Sequence, residues 1–171
     1  LLPPVLVVVT EKLGDNDKKS LIANACKMLV KDGSWRVRSA FAAELYGISK
    51  SFDVATIKAD LCTFLFRLLR DPESDTKVAA CKAAADMLQL LGGEAAFVAD
   101  KFIPEIGALT NDGSTQVRRE VALHLMELAV VVGKNNTTSS IVPIFVQILR
   151  DLDVESSVAL LSSLLNNIDR V

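Results

Sequence analysis

Histidine is almost missing from this sequence: there is one in 171 residues, beside one tryptophan and one tyrosine. A lone imidazole, with neither a second His nor a paired carboxylate at ligand spacing, argues against a metal centre and against a His-based nucleophile pair. No Gly-rich phosphate loop is present, and no nucleophile–base motif. The expectation is therefore a protein that is not an enzyme and carries no cofactor.

Charge of one sign is also missing. Nineteen Lys and Arg face 21 Asp and Glu, for a net charge of −2, so the basic footprint that nucleic acid requires is absent. No apolar run is long enough to span a bilayer. Residues 1–10 lack the basic leader and small-residue cleavage site of a signal peptide. Neither nucleic acid nor membrane is expected as a partner. Cys26, Cys62 and Cys81 are odd in number, lie in helical patterns and have no ligand spacing. They predict reduced, packed thiols of an intracellular protein. Aromatics make up only 5% of a chain that is half apolar. That favours many thin helix–helix contacts over one thick core. The missing initiator Met predicts a piece of something longer.

What is present is a repeated turn. Asp32-Gly33-Ser34-Trp35-Arg36-Val37-Arg38 combines a turn dipeptide, a candidate N-cap in Ser34 and the start of an apolar stripe at Val37. The frame returns at Asp112-Gly113-Ser114-Thr115-Gln116-Val117-Arg118, and more weakly at Asp71 and Asp151. The four aspartates are 39, 41 and 39 residues apart (32 to 71, 71 to 112, 112 to 151). Periods of about 40 residues mark helical-hairpin arrays.

Helix pairs are predicted at 17–31 and 34–50, 54–70 and 72–91, 95–110 and 114–132, and 137–150 and 153–169. Residues 1–13 form the remnant of a preceding repeat, stopped at Gly14. Repeats span 14–50, 51–92, 93–133 and 134–171, together one array over 1–171. Asp53 is a cap, and Asp71-Pro72 a cap with proline at the first helical position. Gly92-Gly93 and Gly133 stop the helices before them. Aligned on the turn aspartates, slots ten, six and three before it hold Ile22, Cys26, Leu29; Leu61, Leu65, Leu68; Phe102, Ile106, Leu109; and Ile141, Phe145, Ile148. All are apolar at the spacing of one helix face. Slots 5, 9, 13 and 16 after it are apolar in thirteen of sixteen cases, from Val37, Phe41, Leu45 and Ile48 onward. Pro104 and Pro143 share the slot eight before the aspartate, where an interior proline predicts a recurring bend. Each hairpin must bury its stripe on its neighbours, which predicts an all-α fold: an α-α superhelix of four hairpins and part of a fifth.

Paired helices with proline in the first, an Asp turn, and Val-Arg opening the second resemble HEAT repeats. More closely, Lys31-Asp32-Gly33-Ser34-Trp35-Arg36-Val37-Arg38, Phe102-Ile103-Pro104-Glu105-Ile106, Val131-Val132-Gly133-Lys134-Asn135-Asn136-Thr137 and Ile141-Val142-Pro143-Ile144-Phe145 resemble the scaffold (A) subunit of protein phosphatase type 2A. The similarity covers about residues 14–169 and matches the middle of that family's array. It implies a cytoplasmic, or also nuclear, scaffold that binds a regulatory (B-type) subunit along its intra-repeat turns. The catalytic subunit would join the full-length scaffold through other repeats. Implied partner contacts are Asp32, Gly33, Ser34, Trp35, Arg36, Pro72, Glu73, Ser74, Asp75, Gly113, Ser114, Thr115 and Gln116. The family's inter-repeat ladder of turn Asp and following basic residue falls on Asp32, Arg38, Asp71, Lys77, Asp112, Arg118 and Asp151. Ser156-Ser157 replaces Val-Arg in the last copy, which there departs from the family pattern.

Trp35 occupies a slot filled elsewhere by Ser74, Thr115 and Val154. It is either an exposed anchor beside Arg36 or local packing on its own hairpin. His124 is expected to be structural or on the surface. Asn135-Asn136-Thr137-Thr138 reads as a capping loop despite its glycosylation sequons. A karyopherin-like cargo array is the alternative, disfavoured because the second helices lack a continuous acidic stripe. A HEAT-type iron hydroxylase would need several His-Glu pairs. Apolar faces at the two ends of the piece predict end-to-end association.

Overall fold

In a computed structural model the chain is all-helical, with no strand among the described residues. These are 2–150 with Val158, Leu161, Ser162 and Leu165, the side chains of residues 2, 22 and 23 excepted. The expected helix at 153–169, Asp151 and the Ile22 slot therefore lie outside them. The chain divides into two compact units, Leu1–Met87 and Leu88–Val171.

In unit 1, α1 (Leu2–Lys12) opens with Pro3 and Pro4, whose missing N–H groups cost nothing in a first turn. It packs on α3 (Trp35–Ser49), where Gly47 lets the Val7 side chain approach; a Cβ there would lie 3.0 Å from Val7 Cγ2. Between them α2 runs from Asp15–Leu21 through a wide π turn, Ile22–Cys26, to Lys27–Leu29. α4 has the same build: Val54–Thr56, the π turn Ile57–Leu61, then Cys62–Leu69. Asp53 caps it as expected, its carboxylate accepting from the Thr56 N–H at 2.8 Å. α5 spans Ser74–Leu88 and so runs to the unit boundary, and the 3-10 turn that follows it, Gln89–Leu91, already belongs to unit 2. Phe41 of α3 meets Phe64 of α4 at 6.4 Å between ring centres.

In unit 2, α6 comprises Ala95–Phe97, the π turn Val98–Phe102 and Ile103–Ala108, closed by the 3-10 turn Leu109–Asn111. α7 (Thr115–Asn136) is interrupted at Gly133, whose φ of 73° and ψ of 172° belong to a region almost closed to other residues. The helix therefore stops at Gly133, as the sequence predicts. Beyond it the Thr137 hydroxyl donates to the carbonyls of Ala129 and Gly133. α8 then starts with the π turn Thr137–Ile141 and continues as Val142–Arg150.

The predicted core slots are buried. Of the described first-helix slots only Phe145 is half exposed; of the second-helix slots, only Val37. Thr76, a polar residue in an apolar slot, is fully buried, and its hydroxyl faces the Trp35 carbonyl at 3.4 Å.

Three local expectations change. Pro104 and Pro143 do not bend a regular helix from within. Each follows a π turn by two residues, at the start of a fresh α segment. The same π turn forms at Ile57–Leu61 with no proline after it, so proline suits this geometry without causing it. Ser34 occupies the N-cap position, but its side chain caps nothing. Instead Asp32 Oδ1 accepts from the Ser34 N–H at 2.8 Å, an Asx turn. Asp71 likewise accepts from the Glu73 N–H at 3.0 Å, so α5 begins at Ser74 and Pro72 stays in the loop.

Candidate functional site

The two best-matched turns are built alike. At the second, Asp112 Oδ1 accepts from the Ser114 N–H at 2.9 Å, repeating the Asp32 arrangement. Arg38 reaches back to donate to the Asp32 carbonyl at 2.8 Å, and Arg118 donates to the Asp112 carbonyl at the same distance. Aspartate folds the loop and the arginine one turn into the helix ties it down.

In unit 1 the arginine also leaves its own turn. Arg38 Nε and Nη2 donate to the two Asp71 carboxylate oxygens at 2.6 and 2.8 Å, a bidentate pair. Both side chains are largely enclosed, at 13% and 6% exposure. Burial by itself would raise the Asp71 carboxyl; the hydrogen bonds from Arg38 and the Glu73 N–H outweigh it and hold its pKa below the usual carboxylate value. The same bonds to Asp71 raise the Arg38 pKa. A further tie runs from the Ser39 hydroxyl to the Asp75 carbonyl at 3.3 Å. The Asp32 and Asp71 turns are thus fixed side by side.

On this base Trp35 is half-buried, with the Arg36 guanidinium 4.6 Å above its ring centre. Gly33, Ser34, Arg36, Pro72, Glu73 and Asp75 are exposed around it, and Asp32 and Ser74 are half-buried. In unit 2, Gly113 and Gln116 are exposed, while Ser114 and Thr115 are half-buried; the Thr115 hydroxyl accepts from Arg118. Of the ladder residues, Arg38 and Asp71 are brought together. Arg118 serves its own turn, Lys77 is half-buried on α5, and Asp151 is outside the described residues.

His124 requires a correction. One helical turn to either side stand Glu120 and Glu127, so paired carboxylates are present. His124 Nε2 lies 3.0 Å from Glu120 Oε1 and Nδ1 lies 3.5 Å from Glu127 Oε1. Burial opposes the imidazolium, but the two carboxylates prevail and hold its pKa at about 9. The cluster is a charged structural knot. Among the described residues no group of His, Cys, Asp and Glu side chains is placed to hold a metal ion, and no helix is long and apolar enough to cross a membrane. The three cysteines are buried thiols outside any disulfide; burial pushes Cys26 up to about 11 and Cys62 up to about 12.

Sequence reasoning passed over one feature of unit 1, an open groove of about 810 Å³ between α2 and α4. Its rim carries Lys27, Lys31, Arg67 and Arg70, and Arg38 and Asp71 line it too. The signal was available: each cation sits three or four residues from a partner on one helix face. No family model and no curated protein matches the chain.

Proposed function

We propose that the chain is a stretch of HEAT-type α-α superhelix acting as a non-catalytic scaffold, of the kind found in protein phosphatase type 2A. Its turns hold a regulatory (B-type) subunit, in the cytoplasm or also in the nucleus. The supporting observation is the repeated construction of the turn. Asp32 with Arg38 and Asp112 with Arg118 make the same two hydrogen bonds at the same helix entry, one pair in each unit. Core packing does not demand that repetition, because the atoms involved lie at the surface end of each hairpin. It is what a row of equivalent docking loops requires, each locked so that little ordering entropy is lost on binding. Trp35 under Arg36 supplies the aromatic and guanidinium surface that anchors protein interfaces.

The test is affinity capture from cells expressing the full-length scaffold, with Trp35→Ala and Arg36→Ala compared with wild type. Reduced recovery of a regulatory subunit is expected, with helical content unchanged. Undiminished capture of every regulatory subunit would rule out this ridge of turns as the docking surface.

A further inference from the structure

We propose that the groove between α2 and α4 of unit 1 binds an acidic protein segment, one carrying several carboxylates and an apolar side chain.

Lys27 and Lys31 project from one wall, Arg67 and Arg70 from the other, while half-buried Phe66 gives the groove apolar surface, with Val30 and Phe64 buried behind it. Lys27, Lys31 and Arg67 are exposed and make no hydrogen bond or ion pair among the described residues. Two acids line the groove as well: Asp71 is held by Arg38 and Asp32 accepts from the Ser34 N–H, so five basic side chains face two carboxylates. Such a surplus of cations stands out in a chain whose net charge is −2.

The fold does not need these charges. Counted back from the turn aspartate, the slots of Lys27, Lys31 and Arg67 hold Gly107, Asn111 and Ala108 in the third copy, and Val146, Arg150 and Gln147 in the fourth. There the space between the first helices is closed. Gln147 Nε2 donates to Asn111 Oδ1 at 2.7 Å, and a Cβ on Gly107 would lie 3.2 Å from Ile144. In unit 1 the positions equivalent to that hydrogen-bonded pair are Lys31 and Arg67, two cations that repel. Repulsion keeps the groove open and makes a carboxylate-bearing ligand favourable there, while the apolar wall adds short-range affinity. A groove of protein-sized ridges with phenylalanine in its wall suits a peptide better than a bare phosphate chain, whose recognition needs little apolar surface. Nothing here depends on the phosphatase assignment.

The probe is a fluorescein-labelled Glu-rich peptide with one Phe and one Leu, titrated with the intact chain and followed by anisotropy. Lys27→Glu combined with Arg67→Glu should weaken binding at least about tenfold, the scale of two lost charge contacts at a partly wet surface. Lys134→Glu in unit 2 should leave it unchanged. Raising salt from about 50 to about 300 mM should weaken wild-type binding, since exposed charges are screened over a few ångströms. Circular dichroism of the double variant should match wild type, because both side chains are exposed. Equal binding by the double variant overturns the assignment. So does tighter binding of single-stranded RNA or phosphatidylserine vesicles that the same substitutions abolish.

Discussion

Arg38 and Asp71, 33 positions apart in sequence, meet through two parallel hydrogen bonds of 2.6 and 2.8 Å. The pair joins the start of α3 to the loop before α5, and so holds two hairpins in register within unit 1. Replacing Arg38 by Met leaves the Asp71 carboxylate enclosed without its cation. The expected loss is about 2 kcal/mol, below the range for fully buried pairs because the groove admits water. Urea denaturation checks it, and Arg38→Met combined with Asp71→Asn should recover part of the loss. The depressed carboxyl pKa gives this pair a pH signature. Its contribution is complete above the ordinary Asp value, about 3.9, and fades as pH falls through the lower folded-state value. The stability gap between wild type and Asp71→Asn should narrow over that acid range; a gap independent of pH there would refute it.

His124 gives the opposite dependence. Its folded pKa of about 9 lies above the ordinary value of 6.5. The stabilisation is therefore complete below pH 6.5 and is lost as pH rises through 9. Thermal melts of wild type and His124→Gln should differ most near pH 6 and converge above pH 9. A difference that does not change over this window would mean that Glu120 and Glu127 do not act on the imidazole.

Gly133 is the one described residue with positive φ, and nothing stands within 4 Å of where its Cβ would be. Gly133→Ala therefore isolates backbone strain, at about 2 kcal/mol. Gly33→Ala and Gly113→Ala also meet empty space, and neither residue has a positive φ. Both should fall within about 0.5 kcal/mol of wild type. Equilibrium unfolding of the three variants decides the comparison.

Periodicity revealed the helices and their buried faces, because the four-then-three spacing of Leu61, Leu65 and Leu68 has few other physical uses. It could not reveal the π turns. A π turn such as Ile57–Leu61 changes the hydrogen-bond step and leaves no compositional mark, and proline follows it in two cases only. The turn residues were legible as turns, but the capping chemistry was misassigned. Asp32 takes the Ser34 N–H in an Asx turn just ahead of the helix, while the Ser34 hydroxyl makes no capping bond to the first helical turn. The Arg38–Asp71 pair came from a family resemblance; spacing alone gives no distance between residues in separate hairpins. The carboxylates around His124 were legible from their positions at 120 and 127 and were overlooked. The basic groove was hidden by a net charge near zero, which averages over faces that a partner meets one at a time.

All three thiols and the lone indole fall within residues 1–87. Tryptophan fluorescence and pulse alkylation consequently watch the first unit alone, and the second is silent to both. Comparing either signal with far-UV ellipticity, which counts every helix, turns an accident of composition into a spectroscopic label for how far unfolding is shared along the chain.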